Sequence, residues 1–164
     1  MYTERAGKLN RRGPDGLRGG VGEPGGPGGF VRERLEGLEF DHVAIAARSF
    51  DDVLPLLERL AGASATEPRR VESQGVEVCF VGDVELIRPL ARDSGVARFV
   101  ERRGPGLHHI AYRVGDLAAA MRELTAEGYR FTSAGPTEGA GGHRIAFLHP
   151  RTTGGVLVEL VERD

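Results

Sequence analysis

The chain has one cysteine, Cys79, among 164 residues, and a single thiol cannot close an intrachain disulfide. Cys79 stands in the apolar run Val76 to Val81, where a buried, reduced thiol is expected. Net charge is also scarce. The 22 Lys and Arg nearly balance 24 Asp and Glu, for a formal charge of −2, so no bulk basicity points to a nucleic-acid partner. No apolar run approaches the length of a membrane span. The amino terminus carries charges but no continuous apolar segment, so it is not read as a secretory signal. These absences make a cytoplasmic protein with no membrane partner the expectation. The 40% hydrophobic and 28% charged residues suit one globular domain.

Glycine and proline are plentiful but unevenly placed. Ten glycines and three prolines fall in the first 29 residues, beside many arginines. Such a segment cannot bury enough surface to offset the entropy of ordering it. Residues 1–36 are expected to form a disordered leader, and 37–164 the folded domain.

The rest is organised around Gly104-Pro-Gly-Leu-His108-His109-Ile-Ala-Tyr-Arg-Val114, a glycine-rich turn running into apolar alternation. A weaker copy, Phe40-Asp41-His42-Val-Ala-Ile-Ala46, lies earlier. Aligning His42 on His109 matches the residues that follow, and an internal repeat of this kind orders the whole fold. In the first copy, a strand over Phe40–Ala47 leads to a helix over 51–61, with Leu54, Leu57 and Leu60 on one face. A short strand near Thr66–Val71 precedes strands Val76–Val81 and Val84–Leu90, joined tightly at Gly82-Asp83. Ser94 is placed to cap a short helix across Val96, Phe99 and Val100. The second copy has a strand over His108–Val114 and an Asp116-capped helix over 117–127. Strands follow at Tyr129–Ser133, His143–His149 and Val156–Val161. The predicted fold class is α+β, with two βαβββ modules, about 38–90 and 105–162, forming a cup-like, partly closed mixed β-barrel.

Equivalent residues of such modules face each other across a pseudo-two-fold axis. His42 and His109 begin equivalent strands, and Glu85 and Glu159 hold equivalent places on the last strands. Two imidazoles and two carboxylates would converge, a donor set suited to a divalent metal with positions left for water or substrate. His108 adjoins His109 and is expected on the opposite face of the strand, as a surface or supporting group. His143 and His149 have no repeat partner of the same role. Asp41 is read as a hydrogen-bonding residue at the strand edge.

Residues 38–162 resemble the vicinal-oxygen-chelate (glyoxalase/bleomycin resistance/dioxygenase) superfamily, and within it the methylmalonyl-CoA epimerase branch. The resemblance rests on Asp41-His-Val-Ala-Ile-Ala46, Val84-Glu-Leu-Ile-Arg-Pro-Leu90, Gly106-Leu-His-His-Ile-Ala-Tyr112, and Phe147-Leu-His-Pro-Arg151 followed by Gly154-Gly-Val-Leu-Val-Glu-Leu160. It implies a metal held at His42, His109 and Glu159, with Glu85 at a fourth position that carries glutamine or glutamate. It implies cobalt or another divalent ion, an acyl-CoA substrate, a homodimer, and interconversion of C2 epimers through an enolate. Glu159 is then the first candidate base, with Glu85 or Glu77 serving the opposite face. Glu77 stands one residue off the expected register, which would turn it to the other face of its strand. Pro55 and Leu56 replace aromatic residues that the family carries on its first helix.

Other chemistries share the fold, and fold alone does not choose among them. A glyoxalase-type lyase acting on a glutathione adduct would use a similar donor set. An extradiol dioxygenase uses two histidines and one carboxylate, and leaves open the position held here by Glu85. A non-enzymatic small-molecule binder has no need of the four donors.

Overall fold

The computed structural model describes Leu35 and residues 37–163. The first module contributes β1 (Glu39–Ala46), α1 (Leu54–Ala61), β2 (Arg69–Val71), β3 (Val76–Val81) and β4 (Val84–Pro89). After α2 (Gly95–Arg103) the second contributes β5 (Gly106–Arg113), α3 (Leu117–Ala126), β6 (Thr137–Glu138), β7 (Arg144–Leu148) and β8 (Val158–Glu162). The strands form one mixed sheet in the order β2-β3-β4-β1-β5-β8-β7-β6. It curls through 272° into an open half-barrel. At its centre β1 and β5 pair antiparallel; β4 runs parallel to β1, and β8 parallel to β5. The order is therefore the same read outward in either direction, and the pseudo-two-fold axis passes between β1 and β5.

Strand alternation sorts the side chains into two layers. On one face of the first module, the buried Phe50, Cys79 and Leu86 pack with the half-buried Leu54 and Leu57 of α1. On the other, Ala44, Ala46, Val76, Val78 and Ile87 pack with Val96 and Val100 of α2. In the second module Val114, Leu117, Ala120, Met121, Ala146 and Leu160 form the layer beneath α3, with Leu35 and Leu38 against it. Leu86 and Leu117 are fully buried, and truncating either to alanine costs about 2–5 kcal/mol. Capping fixes the helix starts as the sequence predicts. Ser94 Oγ accepts from Ala97 N at 3.0 Å and Asp116 Oδ1 from Ala119 N at 2.8 Å.

Three expectations change. The helix over 51–61 is a single turn of 3₁₀ helix, Phe50–Asp52, followed by α1; Val53, at φ −127°, separates them. Leu60 is 73% exposed, so the stripe that α1 packs on the sheet is Leu54 and Leu57, both half-buried. Tyr129–Ser133 is not a strand. It meets β7 only through the Phe131–Leu148 bridge, and the two-residue β6 takes the sheet edge instead. The leader expected over 1–36 lies outside the described residues, apart from Leu35. Among the described residues no helix is long and apolar enough to cross a membrane.

Candidate metal centre

The register of the central strands brings the predicted donors together. Ala44 of β1 pairs with His109 of β5 on one side and Glu85 of β4 on the other. Ala111 of β5 pairs with His42 of β1 and Glu159 of β8. Two rows result, Glu85–Ala44–His109 and His42–Ala111–Glu159, related by the pseudo-two-fold. Both alanines are fully buried. A methyl at each centre leaves room for the flanking imidazole and carboxylate to lean together over it. All four donors are buried.

His42 Nε2 lies 3.3 Å from His109 Nε2 and 3.4 Å from an oxygen of both Glu85 and Glu159. His109 Nε2 lies 3.3 Å from Glu159 and 3.7 Å from Glu85. Donors placed about 2.1 Å from a central ion at tetrahedral angles stand about 3.4 Å apart. The spacing is thus that of ligands around a first-row divalent ion. His42, His109 and Glu159 form the trio whose donor atoms all fall within 4.8 Å of one another. Glu85 approaches both imidazoles from outside that trio. Hard carboxylates with two imidazoles suit zinc, cobalt or a similar ion.

Each histidine is held from behind by the residue before it. Asp41 Oδ1 accepts from His42 Nδ1 at 2.8 Å, and Asp41 in turn binds Arg163 at 2.5 Å and Arg113 at 3.4 Å. His108 Nδ1 lies 2.9 Å from His109 Nδ1. The second contact corrects the expectation that His108 turns to the opposite face. The β1–β5 register slips between Phe40 and His42 and again between Ala44 and Ile45. Asp41 and His108 are the extra residues at these two irregularities. Such bulges re-aim side chains, and His108 consequently lines the same cavity as His109. Phenylalanines flank both rings edge-on, Phe80 against His42 at 5.5 Å and Phe147 against His109 at 5.2 Å.

Burial and mutual contact shift the ionisation of these groups in different directions. Burial opposes protonation of His42, but hydrogen bonds to Glu85 and Asp41 and the charge of Glu159 prevail, raising its pKa to about 9. Burial lowers His109 to about 4, against the pull of Glu85. Burial raises Glu159 to about 7, although His42 opposes the shift. Burial also works to raise Asp41, yet the bonds to Arg163 and His42 hold it below the ordinary carboxylate value.

Glu77 is not brought to the cluster. It sits beside Cys79 on the α1 side of β3, opposite the face of Val76, Val78 and Phe80. Its carboxylate accepts from Arg88 Nε at 2.7 Å and lies 2.5 Å from Arg88 Nη2. His149 accepts from Arg151 N in a local turn, and His143 lies beside Gly141 in a second, smaller cavity. That cavity, of about 410 Å³, is also reached by His42 and Asp41. His109 opens onto the larger one, of about 1080 Å³, walled by α2, the 72–76 turn and the β5 and β8 approaches. Sequence reading passed over Glu72 in that wall, and also over Arg163 and the two flanking phenylalanines. Glu72 stands one turn before β3, and only the position of Gly75 at φ 63° marks that turn in the sequence.

Residues 41–147 match the glyoxalase/bleomycin resistance protein/dioxygenase superfamily. The chain is 37% identical to the human mitochondrial methylmalonyl-CoA epimerase over 125 residues, covering 73% of this chain and 71% of that one. The chain belongs to the methylmalonyl-CoA epimerase family of that superfamily. The solved methylmalonyl-CoA epimerase of Mycobacterium tuberculosis superposes with a TM-score of 0.72 at 33% identity, covering 76% of this chain and 87% of that one. A variant of the Streptomyces coelicolor enzyme, solved with 2-nitronate-propionyl-CoA, superposes at 0.71 with 29% identity, covering 79% and 95%. The four candidate donors fall on pairwise equivalent strands of the repeat, His42 and His109 on β1 and β5, Glu85 and Glu159 on β4 and β8.

Proposed function

We propose that the protein interconverts the C2 epimers of methylmalonyl-CoA, with a divalent ion held by His42, Glu85, His109 and Glu159. The observation that carries this reading is the buried convergence of His42, His109 and Glu159 in a chain of the epimerase family. The ion supplies Lewis-acid stabilisation where negative charge develops on the thioester oxygen. The protein supplies the rest. Asp41 and His108 hold the two imidazoles by their Nδ1 atoms, so that both Nε2 atoms face inward. Phe80 and Phe147 pack edge-on against the two rings and steady them. Glu159, buried with its carboxylate against both Nε2 atoms, takes the C2 proton. Return of a proton to the opposite face falls to Glu85 in the cluster or to Glu72 in the cavity wall. The physiological ion, the exact acyl group and a homodimeric state belong to the same proposal, and cobalt is the ion to supply in vitro.

Incubation of methylmalonyl-CoA in heavy water, with and without added metal, tests the reading. Metal-dependent entry of one deuterium at C2 together with inversion supports it. Absence of exchange with every divalent ion offered would overturn it.

A further inference from the structure

Asp41 is buried more deeply than the carboxylates of the cluster it adjoins. Its side chain is 1% exposed, against 7% for Glu85 and Glu159. A carboxylate in such a place is costly unless it is paired and hydrogen-bonded. Oδ1 accepts from His42 Nδ1 at 2.8 Å and from Arg163 Nη2 at 2.5 Å, and Oδ2 from Arg113 Nε at 3.4 Å. The two arginines are not equivalent. Arg113 makes the longer contact and is shared with Glu39, 3.6 Å away. Among the described residues Arg163 has one ion-pair partner, Asp41.

Arg163 stands immediately after β8, and β5 separates β8 from β1 in the sheet. Its side chain thus spans β5 to reach a residue 122 positions earlier. The segment that carries Glu159 therefore also carries the brace of His42. The other half of the repeat has no such device. Arg163 lies four residues past Glu159, whereas four residues past Glu85 stands Pro89, which has no side-chain donor. His108, the counterpart of Asp41, is backed instead by the ring of Phe99 at 4.8 Å. An arginine serving solubility alone has no need of so deeply buried a partner.

We infer that Arg163 is a positioning residue for the metal centre: it fixes the Asp41 carboxylate, which in turn fixes the His42 ring with Nε2 turned inward. The inference rests on the metal assignment of the proposed function and adds to it a residue that touches none of the four donors. Arg163 and His42 share one oxygen of Asp41, so a shift of the guanidinium moves the atom that orients the ring. Partners behind a ligating histidine set its orientation, its tautomer and its strength as a donor. A guanidinium suits the place because it stays charged and is less strongly hydrated than an ammonium.

The test measures Co²⁺ binding to the full-length protein by competition with a chromophoric chelator, well below the melting temperature. R163Q should weaken binding about 10-fold, the lower end for the outer partners of a ligand. It should also shift the visible Co²⁺ absorption bands, which report ligand geometry. The contact is made by one nitrogen, so R163K should restore the bands and bring affinity to within about threefold of wild type. D41N and R163Q should not add: the double variant should bind Co²⁺ as D41N does. The double variant removes the buried charge together with its partner, so this comparison holds even if R163Q does not fold. A lower melting temperature in R163Q, with Co²⁺ affinity and bands of the folded protein unchanged, would overturn the inference. So would a double variant about 10-fold weaker than D41N, because Arg163 would then act by another route. A wild type that binds no Co²⁺ would overturn the metal assignment and the inference together. The expected pattern with no C2 exchange in the wild type would instead sink the epimerase reading and leave Arg163 in its role.

Discussion

Asp41 and His108 occupy the same place in the two halves of the chain, each immediately before a histidine of the buried cluster, and each bonds the Nδ1 of that histidine. The pseudo-symmetry is thus exact in position and broken in chemistry. His42 leans on a carboxylate braced by Arg163 and Arg113, and His109 on an imidazole. For His109 to offer Nε2 to a metal, its Nδ1 must carry the proton and donate to His108 Nδ1. Partners of this kind usually account for about 10- to 100-fold in metal affinity. D41N should therefore weaken metal binding within that range. H108A should bind metal to full stoichiometry at the weaker end of it. Competition against a chromophoric chelator measures both, and unchanged affinity in D41N would remove Asp41 from the site.

The donors themselves should behave differently from their supports. H42A and H109A should lose bound metal in elemental analysis after gel filtration, whereas H108A should retain it under saturating conditions. Chelation should lower the melting temperature of the wild type, because a ligand bound only by the native state stabilises it. The single-histidine variants should show no further shift on chelation. Metal content in H42A and H109A equal to that of the wild type would refute the assignment.

Ala44 and Ala111 make a separate prediction, since each lies at the centre of a carboxylate–methyl–imidazole row. Valine is a good strand former, so a loss in A111V would not come from backbone preference. Its two added methyls would enter the space over which His42 and Glu159 lean together. Overpacking of this kind costs about 1–3 kcal/mol. A111V should lower the melting temperature and, measured separately, also weaken metal binding. Full metal affinity in a folded A111V protein would show that the donors do not need the space above Ala111.

Most of this architecture is legible in the repeat. Matching His42 with His109 and Glu85 with Glu159 required only that the two halves fold alike, and the parallel pairings β1–β4 and β5–β8 then place each carboxylate one strand from its alanine. The bulges were illegible, because they are set by register between strands and not by residue type along one. That is why His108 was assigned to the wrong face. Tyr129–Ser133 has the composition of a strand, but only Phe131 pairs with β7 there. Arg163 could not be tied to Asp41 by any local rule, being 122 residues away in sequence. Glu77 is a candidate base for the opposite face despite standing one residue off the expected register, and that offset does turn it to the α1 side of β3, against Arg88.

That placement can be tested directly. E77Q keeps side-chain shape and removes the ion pair with Arg88, which is 40% exposed. Solvent screening limits the loss to about 1 kcal/mol of stability. Turnover from both epimers should stay within twofold of wild type. A loss of two orders of magnitude in a folded E77Q protein would place its carboxylate in the reaction after all.

Glu159 is the carboxylate for which the largest effect is expected. It lies at 5% exposure in β8, flanked by Ala111 on one strand and Phe147 on the next, with its oxygen 3.3–3.4 Å from both imidazole Nε2 atoms. A carboxylate that shares its charge with a metal is a weaker base than a free one, but one oxygen is released if substrate takes its place. E159Q keeps the size and an oxygen donor and removes the base. Metal should remain bound, with reduced affinity, and turnover should fall by about two to four orders of magnitude, the usual range for loss of a general base. E85Q, by contrast, should act mainly as a ligand change. Isotope exchange and inversion must be measured separately, starting from each epimer. If E85Q still exchanges the C2 proton of one epimer without inverting it, Glu85 serves the opposite face. If E85Q inverts normally and E72Q shows that pattern, the role passes to Glu72 in the cavity wall. Near-normal exchange from both epimers in E159Q would leave Glu159 as a ligand only.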